Sequence, residues 1–201
     1  MLEMVKGCKV PHPERLFEQY SVDKGELIRI NANVNASKIR TVLERYIFMQ
    51  TDWMYFVLEL PTHSAVERTL RKTDTDPMHL DVYYIDGLDG EAVMKLLLEY
   101  GDMLINDGMV RFGFGRHDSS SELMVYKYNQ LMLFAKDEKE YERFFEEFGL
   151  QRVDELVTAW DTFSHEEPGK CVKVEHNGIT IYDLPEKLAP LGIYFAERRE
   201  E

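Results

Sequence analysis

Long apolar runs, cysteine and positive charge are all scarce in this sequence. No uninterrupted apolar run reaches the roughly 18 residues that a membrane helix needs. The opening stretch, MLEMVKGCKVPHPER, lacks the apolar core of a signal peptide. We therefore expect a cytoplasmic protein without a membrane partner. The two cysteines, Cys8 and Cys171, lie far apart and outside any CxxC spacing, which favours reduced thiols over a disulfide.

The shortage of basic residues limits the classes of partner. Lys and Arg number 24 against 37 Asp and Glu, which gives a formal net charge of −13. Such a chain repels a phosphate backbone, so we expect no nucleic-acid binding. The same charge would steer a basic protein toward an acidic face. Solubility alone is the alternative explanation of the charge.

Motifs that carry catalysis or bind cofactors are also missing. The sequence contains no GxSxG elbow and no EF-hand loop. The glycines of RFGFG (111–115) fall within or at the end of a predicted strand rather than before a helix, so they do not form a phosphate loop. They favour a bulge, or room for an aromatic ring packed across them. We expect no cofactor, and the balance leans away from an enzyme.

The periodicity of apolar residues predicts an α+β fold. Residues 28–34 alternate like a strand with one wet face, and residues 39–47 have helical spacing. The apolar run 53–60 reads as a buried strand. From residue 79 the order is strand, helix, strand, strand, helix, strand, which matches a ferredoxin-like βαββαβ unit over residues 79–163. We expect a mostly antiparallel sheet with helices packed on one face.

The C-terminal part of the chain adds a predicted β-hairpin. Asn177 and Gly178 favour a two-residue type I′ turn, which would pair His176 with Ile179 and Val174 with Ile181. Two domain arrangements fit these elements. Either a strand–helix–strand portion, residues 1–76, precedes a domain of residues 77–201, or the whole chain is a single compact domain.

The stretch 122–149 predicts a long strand running directly into an amphipathic helix. Asp137 caps the helix, and Gly149 ends it by adopting a left-handed conformation. The helix carries one apolar stripe at helical spacing, formed by Tyr141, Phe144, Phe145 and Phe148. Lys127 to Gln130 interrupt the strand with a polar midpoint, which is either a bend or the wall of a pocket. Tyr128 is the candidate binding residue there.

The segment TAWDTFSHEE (158–167) holds further candidates. Read as a strand, it places Asp161 on an apolar face, where a carboxyl group has a raised pKa and can act as an acid or a base. A shifted register, a bulge or a hydrogen bond to backbone amides are the alternatives. Trp160 on the opposite face is a candidate anchor for a partner or ligand, since exposed tryptophan is enriched at interfaces.

Two polar clusters complete the candidate residues. Arg116 and His117 lie beside a run of serines and are candidates for gripping an anion. The stretch TDTDPMHLD offers oxygen and imidazole ligands for a divalent metal at Asp74, Asp76, His79 and Asp81. A polar strand face beside a polar loop is the simpler explanation of this second cluster.

These observations favour a non-enzymatic binding protein of immunity or inhibitor type. Its acidic surface, with an aromatic residue near the centre, would meet a basic protein partner. The alternative is a small-molecule-binding protein or a hydrolase-type enzyme with a pocket near Asp161. That pocket would hold at least two of His117, Asp118, Asp161 and His165. A structural homodimer, formed through a sheet edge or the helix faces, is the third hypothesis.

Overall fold

The computed structural model describes residues 2–141 and 143–201, and a large antiparallel sheet organises them. In chain order the strands are β1 (Cys8–Lys9), β2 (Gln19–Lys24), β3 (Ile28–Asn33), β4 (Met54–Pro61), β5 (His79–Leu88), β6 (Arg111–Gly115), β7 (Glu122–Val125), β8 (Gln130–Ala135), β9 (Gln151–Arg152), β10 (Lys170–Cys171) and β11 (Tyr194–Glu200). The helices are α1 (Ile39–Met49), α2 (Ser64–Leu70), α3 (Gly90–Asn106), α4 (Glu138–Tyr141) and α5 (Leu184–Lys187).

Nine of the described strands form one sheet in the order β11-β5-β4-β6-β7-β8-β3-β2-β9. Neighbours in this sheet are antiparallel, except for the parallel pair β2 and β9. Strands β1 and β10 pair with each other in a separate small sheet. The prediction of an α+β protein with a mostly antiparallel sheet is confirmed.

One face of the sheet carries the main hydrophobic core. The apolar stripes of α1 and α3 pack there against inward side chains of the central strands, such as Phe56, Phe112 and Leu133. The opposite face has only a small apolar cluster around Val57, Val82 and Met124 within the described residues. No helix in the described part of the chain has both the length and the apolar character to cross a membrane.

The strand order does not follow the predicted ferredoxin-like unit over residues 79–163. Strands β5 and β6, joined by α3, run parallel to each other with β4 between them, which is a split βαβ arrangement. Strand β4, which precedes residue 79, therefore lies between β5 and β6, where the ferredoxin-like unit would place one of its own strands. The near-continuous burial of β4 explains this placement, because a strand that is apolar on both faces is stabilised at the centre of a sheet.

The predicted long strand of 122–135 is in fact a hairpin. Strands β7 and β8 pair antiparallel, and Tyr126 N donates to Gln130 O (2.8 Å) across the turn. Tyr128 and Asn129 both have a φ of 60°, a left-handed conformation that is uncommon for residues other than glycine. The polar midpoint is thus a complete reversal of the chain, which neither of the two predicted alternatives anticipated.

Asn129 holds this turn in place through its buried side chain. Its Oδ1 accepts a hydrogen bond from Val5 N (3.0 Å), and its Nδ2 donates to the carbonyl oxygens of Glu3 (2.8 Å) and Val34 (2.9 Å). Three backbone groups from two other segments are therefore satisfied by one amide. The turn, the N-terminal segment and the end of β3 are held together at this point.

The predicted helix after β8 is shorter than expected. Helix α4 is followed by a turn and by a 3-10 turn at Glu146–Phe148, while Glu142 lies outside the described residues. Gly149 has the expected left-handed conformation, with a φ of 81°. The predicted stripe still reaches the core, because Tyr141, Phe144 and Phe145 are buried.

The predicted C-terminal hairpin forms only at its turn. His176 pairs with Ile179 around the Asn177-Gly178 turn, as the sequence predicted. The pairing of Val174 with Ile181 was wrong, because Val174 N donates instead to Asp107 Oδ2 (2.7 Å). Residues 181–183 form a 3-10 turn that buries Ile181, which removes them from any strand.

Replacing Asn129 tests the central role of its side chain. We expect Asn129→Ala to lower the free energy of unfolding by about 3 kcal/mol, because three backbone groups lose their partner in a buried turn. Urea denaturation measures this change. Asn177→Ala is the matched control, since Asn177 has a similar φ of 51° but is exposed. Equal losses in the two variants would contradict a specific role of the buried amide.

Candidate functional site

Two other aromatic rings pack against Trp160 and fix its orientation on the surface. Its indole is 52% exposed and makes edge-to-face contacts with Tyr128 (5.0 Å between ring centroids) and Phe163 (5.5 Å). Tyr128 and Phe163 also contact each other, at 5.0 Å. We call these two supporting rings the aromatic platform. The platform restricts the orientation of Trp160 and leaves about half of its surface available for contact.

Local hydrogen bonds explain why this segment forms a turn rather than the predicted strand. The carboxylate of Asp161 accepts from Thr158 N and Thr158 Oγ1, both at 2.7 Å, which closes a capping box around residues 159–162. Thr162 Oγ1 donates to Ala159 O (2.7 Å). Because Ala159 and Thr162 point inward, Trp160 and Asp161 point outward. The prediction that Asp161 lies on an apolar strand face was wrong.

Negative charge surrounds Trp160. Residues 154–167, which we call the acidic segment, contain no Lys or Arg. Its carboxylates are all exposed and belong to Asp154, Glu155, Asp161, Glu166 and Glu167. Val157, which is 39% exposed, adds apolar surface next to them. The segment therefore combines an exposed indole with a local excess of negative charge.

The acidic segment is anchored to the rest of the fold at both ends. Asn33 Nδ2 on β3 donates to Val157 O (2.8 Å). Near the other end, Glu167 pairs with His12 at 3.2 Å.

Tyr128 of the platform is buried, and burial raises the pKa of its phenol further above the ordinary value. The platform ring is thus neutral over the whole physiological pH range.

Arg116 and His117 lie elsewhere, in the loop between β6 and β7. They line a cavity of about 370 Å³ on the open face of the sheet, together with Tyr55, Glu122, Leu27, Ser120 and Phe134. His117 Nε2 lies 2.8 Å from Asp86 Oδ1, and its ring packs on Tyr55 at 4.6 Å. Of the four residues predicted to share a pocket, this cavity is lined by His117 and not by Asp118, Asp161 or His165.

Asp118 and His165 have other surroundings. The carboxylate of Asp118 pairs with Arg116, whose Nε donates to it at 2.8 Å. This guanidinium holds the pKa of the Asp118 carboxyl below its usual range. His165 is exposed within the acidic segment. An acid–base role for His165 or Asp161 stays a prediction.

Glu122 and Tyr55 lie on the open face of the sheet and were not among the residues predicted from the sequence. Tyr55 Oη donates to Glu122 Oε2 (2.7 Å), and the contact passes over Gly115. A Cβ atom at Gly115 would lie 2.4 Å from the Tyr55 hydroxyl oxygen, so the predicted need for room beside an aromatic ring is confirmed there. Burial raises the pKa of the Glu122 carboxyl above its usual value of 4.5.

Glu59 is a second carboxylate that was overlooked. It is 2% exposed at the centre of β4, where Arg199 and Arg111 compensate its charge. Its Oε2 has no hydrogen-bond partner among the described residues. The signal was present in the sequence, because Glu59 is the one charged residue in the apolar run 53–60. A charge at such a position needs a partner from a distant strand.

The metal candidates were Asp74, Asp76, His79 and Asp81. The side chains of the last three take part in other interactions. Asp76 accepts hydrogen bonds from the loop before it, which lowers the pKa of its carboxyl. His79 pairs with Glu67 (3.3 Å), and Asp81 pairs with Arg198 (2.5 Å). In residues 2–141 and 143–201, no three His, Cys, Asp or Glu side chains come together as a metal-binding group.

Comparison with protein-family models, with curated proteins and with solved structures gave no match. The functional assignment therefore depends on the geometry and charge of the surfaces described above. Among these surfaces, the acidic segment with Trp160 has an exposed aromatic residue that the fold orients.

The raised pKa of Glu122 predicts how stability depends on pH. In the folded protein Glu122 keeps its proton to higher pH than in the unfolded chain, so folding loses stability as pH rises above about 4.5. Glu122→Gln removes this loss and can still accept the Tyr55 hydrogen bond. We expect the variant to match the original protein near pH 4 and to become relatively more stable toward pH 8.

Urea denaturation across this pH range measures the difference. Glu26→Gln is the control, because Glu26 is exposed. A difference between the Glu122 variant and the original protein that stays constant with pH would contradict the assignment.

Proposed function

We propose that this chain is a non-enzymatic binding protein that presents Trp160, within the acidic segment, to a basic protein partner. The observation that supports this most is the half-exposed indole, supported by Tyr128 and Phe163 and bordered by exposed carboxylates. Each of these features has a separate energetic consequence for binding.

The indole supplies the main binding energy in this proposal. Exposed tryptophan leaves a large apolar area in water, and tryptophan is among the residues most enriched at binding hot spots. Because the aromatic platform already restricts Trp160, less side-chain entropy is lost when a partner covers it. The capping box at Thr158 and Asp161 restricts the backbone in the same way.

The carboxylates supply attraction at long range and selectivity. Five exposed carboxylates without a Lys or Arg between residues 154 and 167 repel acidic partners and accelerate encounter with basic ones. The net charge of −13 acts in the same direction. An immunity or inhibitor role, in which this surface covers a basic enzyme, is the specific form of binding that we propose.

Replacement of Trp160 tests the anchor. The chain is immobilised, basic proteins are captured from an extract of its native host, and the retained protein is purified for calorimetric titration. We expect Trp160→Ala to weaken binding by about 30-fold or more, the loss of a hot-spot residue. Trp53→Ala is the matched control, since Trp53 is 63% exposed but lies outside the acidic segment. Equal effects of the two substitutions, or retention of no basic protein, would contradict the proposal.

Neutralising the carboxylates separates the charge effect from the indole. We expect Asp154→Asn with Glu155→Gln to slow association several-fold at low salt and to reduce its salt dependence, because exposed charges act mainly on the association rate. Glu91→Gln with Glu99→Gln removes the same charge from α3 and is the control. Stopped-flow measurements distinguish the two. An association rate that responds equally to both pairs would show that only net charge matters.

A second candidate function is self-association through β11. This strand is the last one of the sheet, it pairs only with β5 among the described strands, and all seven of its residues are exposed. Phe195, 51% exposed, adds apolar area to this edge. Light scattering over a range of concentrations tests it, and a constant monomer mass would exclude a stable homodimer.

A further inference from the structure

The two cysteines, which are 163 residues apart in sequence, face each other across the small sheet. Cys8 on β1 is the register partner of Cys171 on β10, and their Sγ atoms are 3.7 Å apart. Both are free thiols in this structure. The sequence predicted two reduced thiols, because no spacing between Cys8 and Cys171 indicated that their segments lie side by side in the fold.

The pairing places the two residues in a position that suits a disulfide. Val172 N donates to Gly7 O (2.8 Å), whereas Cys8 N donates to Val5 O (3.0 Å) rather than to Cys171. Cys8 and Cys171 therefore occupy a non-hydrogen-bonded site, where the Cα atoms of an antiparallel pair are about 4.5 Å apart. That separation lies within the range that a disulfide requires, about 4.4 to 6.8 Å. Rotation of the side chains can close the remaining sulfur–sulfur gap.

The surrounding backbone holds this geometry firmly. Gly7 N donates to Asn106 O (2.8 Å), and Gly108 N donates to Val172 O (3.0 Å). The chain passes so closely at this point that a Cβ atom on Gly7 would lie 2.1 Å from Gly108 N. Both strands of the small sheet are thus attached to the loop after α3. The two sulfur atoms stay close without any larger movement of the chain.

The two thiols have different chemical roles. The Cys171 thiolate is stabilised by a hydrogen bond from Cys8, by Tyr128 and by the charge of Lys127, which together lower the pKa of Cys171 to about 7. The hydrogen bond to Cys171 and burial raise the pKa of Cys8, which is 4% exposed. Because Cys171 is partly exposed and Cys8 is buried, an external disulfide can reach Cys171 first, which makes Cys171 the nucleophile and Cys8 the resolving thiol.

We propose that Cys8 and Cys171 form a reversible disulfide by exchange with a low-molecular-weight disulfide such as oxidised glutathione. In the first step the Cys171 thiolate attacks one sulfur of oxidised glutathione, forms a mixed disulfide and releases one glutathione thiolate. In the second step Cys8 loses its proton and attacks Cys171 Sγ, which releases the second glutathione. The two protein thiols are oxidised, and one oxidised glutathione is reduced to two molecules of reduced glutathione.

The disulfide would join the N-terminal segment to the C-terminal third of the chain. Such a long closed loop restricts the unfolded state strongly, so oxidation should raise the melting temperature by roughly 10 °C. Tyr128 N donates to Cys8 Sγ (3.4 Å), so the bond also forms next to the aromatic platform.

Intact-mass spectrometry of the full chain in oxidised and reduced glutathione buffers tests the proposal. We expect the original protein to lose two hydrogens in the oxidised buffer, to carry no glutathione and to recover both hydrogens with a reducing agent. Cys8→Ser should retain one glutathione on Cys171, because no resolving thiol remains. Cys171→Ser should stay mostly unmodified, because the remaining thiol is buried and retains its proton. Cys8→Ala repeats the first variant with a different replacement.

The melting temperature gives a second readout in the same buffers. We expect a higher value for the original protein in the oxidised buffer, and no such increase for either serine variant. An original protein that carries two glutathiones, forms disulfide-linked dimers or shows no change of mass in the oxidised buffer would overturn the proposal.

Discussion

The left-handed turn at Tyr128 and Asn129 is the constraint on which the other features of this protein depend. Two consecutive residues with positive φ are costly, and the three hydrogen bonds of the Asn129 side chain offset that cost. The turn connects β7 to β8, holds the N-terminal segment and places the Tyr128 ring in contact with Trp160. Through Tyr128 N it also reaches Cys8 Sγ. The proposed binding surface and the proposed disulfide therefore share one support.

The two faces of the sheet differ because they carry different kinds of side chain. Helices α1 and α3 cover one face because both carry apolar stripes at helical spacing. The other face carries tyrosines. It also carries pairs of oppositely charged residues, such as Glu59 with Arg199. Breaking a buried pair of this kind leaves an uncompensated charge, so these residues act together in stability. The acidic segment lies apart from this network and keeps its carboxylates exposed.

Local patterns predicted some elements well and failed where distant contacts compete. The stripe of α1 and the Gly149 terminus are local features, and both were confirmed. The strand predicted in the segment 158–167 was wrong because the capping box at Asp161 offers the backbone a closer partner. The hairpin inside 122–135 was overlooked because its turn contains no glycine. Asn129 makes that turn possible only through contacts with residues far away in sequence.

The linear order of residues was sufficient for the α+β class, the apolar stripes, the local charge excess and the choice of Trp160 as a candidate anchor. Each of these depends on residue types and spacing within about twenty positions. The position of β4 between β5 and β6, the aromatic platform under Trp160 and the meeting of Cys8 with Cys171 depended on tertiary structure. These features join segments that are distant in sequence, and no local pattern specifies which distant segment completes a sheet or supplies a partner.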